Sequence, residues 1–396
     1  MTADKDEIGT DTVDEWFEQE DDAPEVEQKP VDPGKKYATS QLRVVRETKD
    51  YQLDYLRHAL QPGRDLIDTA PAYQRRLRWN NKKRSLLIES LLLNIPVPPI
   101  FLFERDYNEY EVIDGRQRLD AISSFLANEY KLSGLEYWPE LNRSRFDDLP
   151  VVLQKGLLRR SLPAVVLLAE TKDVAGDELD VRRVLFDRLN TGGMRLNPQE
   201  LRNALYPGSF NALLIRLARS RPFTDTWGIP HYIEGEESNP TDELLRNALF
   251  SSLADAELVL RFFALRDAII NSKTGSLRGI LDRYMEANSS VNEDEAAAMH
   301  AQFTGCLERL ILVFGAQTFR LNNGRLSRPL YDALMVALST NIGLDIESHA
   351  EQINVALHAA LSDESKYEVL VGRGNTIAAI HERVELAGMI LSAGSE

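Results

Sequence analysis

Apolar residues at helical spacing mark the first clear element of the chain. Leu87, Ile88, Leu91 and Leu92 share one face of a helix over about 82–93, and Asn80 or Asn81 suits its cap. On this pattern Arg84 falls on the nominal solvent face. Asn94 and the run Ile95-Pro96-Val97-Pro98-Pro99 must end the helix, because proline removes a backbone donor and clashes with the preceding turn. Ile100-Phe101-Leu102-Phe103 then has the composition of a buried strand, residues 104–109 that of a polar turn, and residues 110–113 that of a second strand. Asp114-Gly115 breaks this strand. Leu119, Ile122, Phe125 and Leu126 return to helical spacing beyond it, and 162–168 predicts one more buried strand.

Further along, 180–189 is helical in pattern, and Asn190-Thr191-Gly192-Gly193 ends it in residues suited to a helix C-terminus. Asn197-Pro198-Gln199-Glu200 follows as cap, first-turn proline and capping-box glutamate. Strand signals fade after Tyr206-Pro207-Gly208. Amphipathic helices are expected over 244–253, 258–265, 303–314, 330–338 and 377–391. The pattern therefore predicts an α+β domain over 37–205 and an all-α helical domain over 206–396, with no internal repeat.

Residues 1–36 differ in character. They hold 13 acidic and 4 basic residues, a net −9 of the chain's −16, with three prolines and little periodicity. This predicts a disordered acidic tail, with Trp16 and Phe17 as a short partner-binding patch in the alternative. The remaining charge of −7 argues against coating DNA by bulk charge but leaves room for a local basic face. Apolar content of 43% over 396 residues suffices for a substantial core. No uncharged apolar run reaches about 18 residues, so no membrane span is expected. Cys306 is the single cysteine, and neither a disulfide nor a multi-cysteine zinc site is possible within the chain. A reducing cytoplasm fits, and Cys306 has the surroundings of an inert core residue.

Candidate chemistry centres on Asp114-Gly115-Arg116-Gln117-Arg118. A strand entering a glycine turn and then a helix brings unbonded backbone N–H groups and the positive end of the helix dipole to one place, which suits an anion. Arg116 and Arg118 add bidentate donors suited to phosphate, and Gly115 lets a ligand approach the backbone. Asp114 suits orienting an arginine, holding Mg²⁺ through water, or accepting from a ribose or base. An ordinary strand-to-helix turn with Asp114 as cap and solvated arginines explains the same residues equally well. Gln74-Arg75-Arg76-Leu77-Arg78-Trp79 with Lys82-Lys83-Arg84 is the most basic stretch. Trp79 can stack on a base there, although anchoring the next helix in the core is the simpler role. Arg188 to Gly193 can line a pocket, although a helix end and turn explain it more simply. The six histidines show no zinc spacing. Neither a GxxxxGK[ST] phosphate loop nor a GxSxG elbow occurs.

Taken together, Gln74-Arg75 with Trp79, Leu87 to Leu92, Ile95 to Ile100, Asp114 to Arg118 and Asn190 to Glu200 resemble the GmrSD restriction endonuclease N-terminal domain family, whose signature is Asp-Gly-Gln-Gln-Arg. The resemblance covers about 40–205. It implies a ParB/sulfiredoxin-like nucleotide-binding fold and a nucleoside triphosphate, with Mg²⁺, whose hydrolysis controls cutting of foreign phage DNA. Gly115, Arg116, Gln117 and Arg118 would then bind phosphate, with Asp114 and Arg118 catalytic, Gln74 and Arg75 closing the pocket, and Asn190, Thr191 and Asn197 lining its far side. Arg116 replaces the signature's first glutamine. No histidine-rich nuclease motif follows residue 206, so cutting implies a separate nuclease subunit or a stand-alone ParB-like nuclease. A non-catalytic DNA or protein adaptor is the remaining alternative.

Overall fold

The computed structural model describes residues 8–21, 45–61, 66–68, 79–168, 197–237, 240–372, 374 and 376–394. The chain divides into two compact units, Lys29–Leu196 and Met1–Gln28 with Asn197–Glu396. The first mixes strands and helices and the second is helical, an α+β organisation overall. Among the described residues no helix is long and apolar enough to cross a membrane.

The mixed unit runs β1 (Arg46–Gln52), α2 (Leu53–Ala59), β2 (Ile67–Asp68), α3 (Asn81–Leu92), β3 (Ile100–Asp106), β4 (Glu109–Asp114), α4 (Arg116–Leu126), α5 (Val151–Leu158) and β5 (Ser161–Leu167). Its five strands lie in the order β1-β5-β3-β4-β2. β1 pairs with β5 and β3 with β4 antiparallel, whereas β5–β3 and β4–β2 are parallel. Asn80 caps α3 by accepting from the Lys83 N–H at 2.9 Å. The predicted stripe Leu87, Ile88, Leu91 and Leu92 is buried, as are Leu119, Ile122, Phe125 and Leu126 of α4. Both stripes join a core with Ile100, Leu102, Val112, Ala164 and Val166 on one sheet face.

The predicted turn over 104–109 shrinks to Tyr107-Asn108, because β3 continues to Asp106 and Asn108 takes the left-handed conformation that a tight hairpin requires. β1 was not predicted. It is an edge strand with mostly exposed residues, so it carries no apolar alternation. The predicted helix over 180–189 and the turn at Asn190 to Gly193 lie outside the described residues.

In the helical unit, α6 (Pro198–Leu205) opens with the predicted capping box, Asn197 and Glu200 each accepting the other's backbone N–H at 2.9 Å. α6 thus lies in the helical unit, which takes up the chain again at Asn197. Then come α7 (Ser209–Ala218), α8 (Arg221–Trp227), α9 (Asp242–Arg246), α10 (Ala248–Ser251), α11 (Ala254–Ile270), α12 (Leu277–Ala287), α13 (Glu293–Phe314), α14 (Arg328–Thr340), α15 (Ala350–Ser362), α16 (Glu364–Val371) and α17 (Ile377–Leu391). The helix expected over 244–253 is broken at Asn247, which ends α9 and caps α10 by accepting from Phe250 N–H at 3.1 Å.

The disordered-tail expectation for 1–36 needs correction over its described part. Thr10–Asp21 forms a helix, α1, and Val13, Trp16 and Phe17 are buried. Spacing i, i+3, i+4 puts these three side chains on one face. Acidic composition concealed them, since Asp11, Asp14, Glu15 and Glu18 occupy the exposed positions between.

Candidate functional site

β4 delivers Asp114 to the start of α4, and Gly115 makes the corner with φ +98°. A Cβ at Gly115 would lie 2.8 Å from Ile100 Cβ and closer still to its Cγ2. Only glycine therefore satisfies both the backbone conformation and the approach of β3. Arg116, Gln117 and Arg118 occupy the first turn of α4, where backbone N–H groups lack intrahelical acceptors.

Arg118 is held by its own chain. Its Nη2 donates to Asp114 Oδ2 at 2.6 Å, and its Nη1 donates to the Pro98 carbonyl and, at 3.1 Å, to that of Pro99. The side chain is 12% exposed and that of Asp114 33%. One guanidinium thus ties the end of β4 to the proline run that leads into β3. Arg116 and Gln117 are half-buried. The Gln117 Oε1 is buried without a hydrogen-bond partner among the described residues.

Gln74, Arg75, Asn190 and Thr191 lie outside the described residues. Asn197 belongs to the helical unit. Its Oδ1 caps α6 and its Nδ2 donates to the Ser252 carbonyl at 2.8 Å, so helix capping already accounts for the side chain. Trp79 packs half-buried against the core with Lys83 Nζ 4.7 Å from its ring centroid, the anchoring role.

Two residues behind the turn were misread or missed. Arg84 does not face solvent. Its Nη2 lies 3.4 Å from Asp120 Oδ2 and its guanidinium sits 4.2 Å from the Tyr130 ring centroid, joining α3 to α4. Burial raises the Tyr130 phenol above its usual range, an effect that Arg84 opposes. Buried Glu89 of α3 accepts the backbone N–H groups of Glu136, Tyr137 and Trp138 at 3.2, 2.9 and 2.9 Å. A glutamate within the apolar stretch Leu87 to Leu92 was the available signal for Glu89.

Among the described residues no group of three or more His, Cys, Asp or Glu side chains could hold a metal ion. Asp114 is the carboxylate at this turn, so a metal here would need most of its ligands from elsewhere.

Residues 56–207 match the family model for the GmrSD restriction endonuclease, N-terminal domain. This segment, which contains the β4–α4 turn and extends through α6, is what the chain shares with that family. The description of the family ties it to restriction of DNA. No curated protein and no solved structure matches the chain.

Proposed function

We propose that the family domain binds a nucleoside triphosphate at the β4–α4 turn, and that its hydrolysis senses or licenses restriction of foreign DNA. Cutting would fall to a separate nuclease subunit, and the setting would be the cytoplasm, where phage DNA is met. A ParB/sulfiredoxin-like fold for the mixed unit belongs to the same reading. The observation that carries it is Gly115, whose left-handed corner presents the first turn of α4 beside two arginines. Arg116, Gln117 and the first-turn N–H groups would meet the phosphates. Arg118 would contact them only by sharing donors with Asp114 and the proline carbonyls, so part of its role is to position this loop. Mg²⁺ would arrive with the triphosphate, commonly bound through one or two carboxylates plus phosphate oxygens, and would neutralise charge there. Asp114 would be the residue of this turn to meet it.

Purified chain should be incubated with each nucleoside triphosphate and with plasmid DNA, with and without Mg²⁺. Release of inorganic phosphate supports the proposal, and nicked plasmid instead supports a nuclease acting alone. Arg116→Ala should weaken triphosphate binding roughly ten- to hundredfold in calorimetry, the worth of one charge-assisted hydrogen bond. Lys155→Ala on exposed α5 should leave binding unchanged. Absence of nucleotide binding by the wild-type chain would overturn the proposal.

The adaptor reading has one observation in its favour. Arg118 already has three acceptors on its own chain, as a purely structural turn would require. Under that reading Arg118→Ala lowers the melting temperature and no variant alters nucleotide affinity.

A further inference from the structure

α1 is attached to the helical unit by one face alone. Val13, Trp16 and Phe17 are buried, while Asp11, Asp14, Glu15 and Glu18 are exposed. Its seat is formed by α10, α12, Trp227 at the end of α8, and Arg328 at the start of α14. The Trp16 ring meets Trp227 edge-on with centroids 6.1 Å apart. Arg328 adds to the seat, its guanidinium 5.2 Å from the Trp16 ring centroid and its Nη1 donating to the Trp16 carbonyl at 2.9 Å.

Three anchors at i, i+3 and i+4, one of them a tryptophan that meets an indole and a guanidinium, are how an amphipathic helix seats in a groove. A 12-residue helix is marginal alone in water, so α1 gains its order from this seat. Neither a disulfide nor a strand pairing holds it.

We propose that this seat is a helix-docking site, that α1 is its occupant, and that α1 binds there as a reversible ligand rather than as a permanent part of the core. A free acidic helix with apolar anchors at i, i+3 and i+4 would then compete for the same seat. Covalent attachment favours the resident, because tethering supplies an effective concentration of about millimolar.

The test uses the full chain with a protease site inserted between Gln28 and Lys29, the boundary of the units. After cutting, a labelled peptide of residues 8–21 should displace the N-terminal fragment and saturate at one peptide per chain. Uncut chain should bind the peptide at least a hundredfold more weakly. A peptide carrying Trp16→Ala should bind cut chain at least tenfold more weakly than the parent peptide. Full-length chain carrying Trp16→Ala should keep its helical circular dichroism and take up the labelled peptide without being cut. A fragment that excess peptide does not displace from cut chain would overturn the proposal. So would loss of the helical signal once the fragment leaves, since α1 would then be integral to the fold. Equal binding of the two peptides would likewise exclude a seat built around Trp16.

Discussion

Gly115 combines two constraints that no other residue meets. Its φ of +98° disfavours any side chain, and Ile100 fills the space that a Cβ needs. Gly115→Ala should therefore cost about 2–4 kcal/mol, from left-handed strain and overpacking together. Gly156→Ala is its control, since a Cβ there meets nothing within 4 Å on exposed α5. It should stabilise by about 0.5–1 kcal/mol. Urea denaturation of both variants measures the contrast, and equal midpoints would show that the β4–α4 corner yields without strain. Cys306 follows burial too, which pushes its thiol up to about 11 against the partial opposition of Arg309 and Arg266. The native thiol should resist a disulfide reagent at pH 8 and react once urea unfolds the chain. A raised thiol pKa means that the folded state retains the proton. Its contribution to stability is thus intact below the unfolded value near 9 and falls as pH rises toward about 11. At this scale the sequence was legible where local backbone geometry decided a residue's place, as at Gly115 and Asn197, or where burial did, as at Cys306. It was not legible for Arg118, whose partners Pro98 and Pro99 lie about twenty positions away and meet it only when β3 and β4 pair.

Elements were legible where burial imposed a period. α3, α4 and β5 each bury a regular stripe, α3 and β5 within one residue of their expected bounds and α4 with the stripe expected of it. β1 left no such trace, because pairing with β5 holds it in place rather than burial of alternate residues. α1 failed differently. Its three anchors were visible, but charge dominated the reading, and the seat that orders them is built by residues more than two hundred positions later. Long-range partners also changed the meaning of Arg84. Helical spacing alone put it toward solvent, yet α4 brings the buried carboxylate of Asp120 and helps place Tyr130 against it. Arg84→Ala should then cost about 1.5–3 kcal/mol, from a charge-assisted contact and a partly desolvated cation–π pair. Arg84→Lys should recover less than half of this, because an ammonium cannot stack as a guanidinium does. Chemical denaturation of both variants decides it, and an unchanged midpoint for Arg84→Ala would return the residue to the solvent face.

At the scale of the whole molecule, the helical unit is organised around charge as much as around its aromatic core. Arg202 of α6 donates to Asp282 of α12 at 2.7 Å and lies 3.7 Å from Glu257 of α11. Glu257 also lies 3.8 Å from Arg261 and 3.4 Å from Arg328. Arg261 in turn meets both carboxylate oxygens of Asp332 of α14, Nε donating to each at 3.1 Å. All of these side chains are buried or nearly so. No sequence period announces such a network, since each member occupies a core position of a different helix and is paired only after the helices assemble. Removing ions from water is costly, so the network is a poor source of net stability but a demanding test of correct helix arrangement. Asp332→Ala leaves the Arg261 guanidinium buried without its bidentate partner and should cost about 3–5 kcal/mol. The pair Arg261→Met with Asp332→Leu removes both charges and restores much of the volume, so it should lie within about 2 kcal/mol of the parent chain. Neither change touches the β4–α4 turn, so nucleotide affinity per folded molecule should be the same in all three proteins. Denaturation midpoints together with a double-mutant cycle measure the coupling. Additive losses would show that Arg261 and Asp332 act independently and that the network is a set of separate contacts.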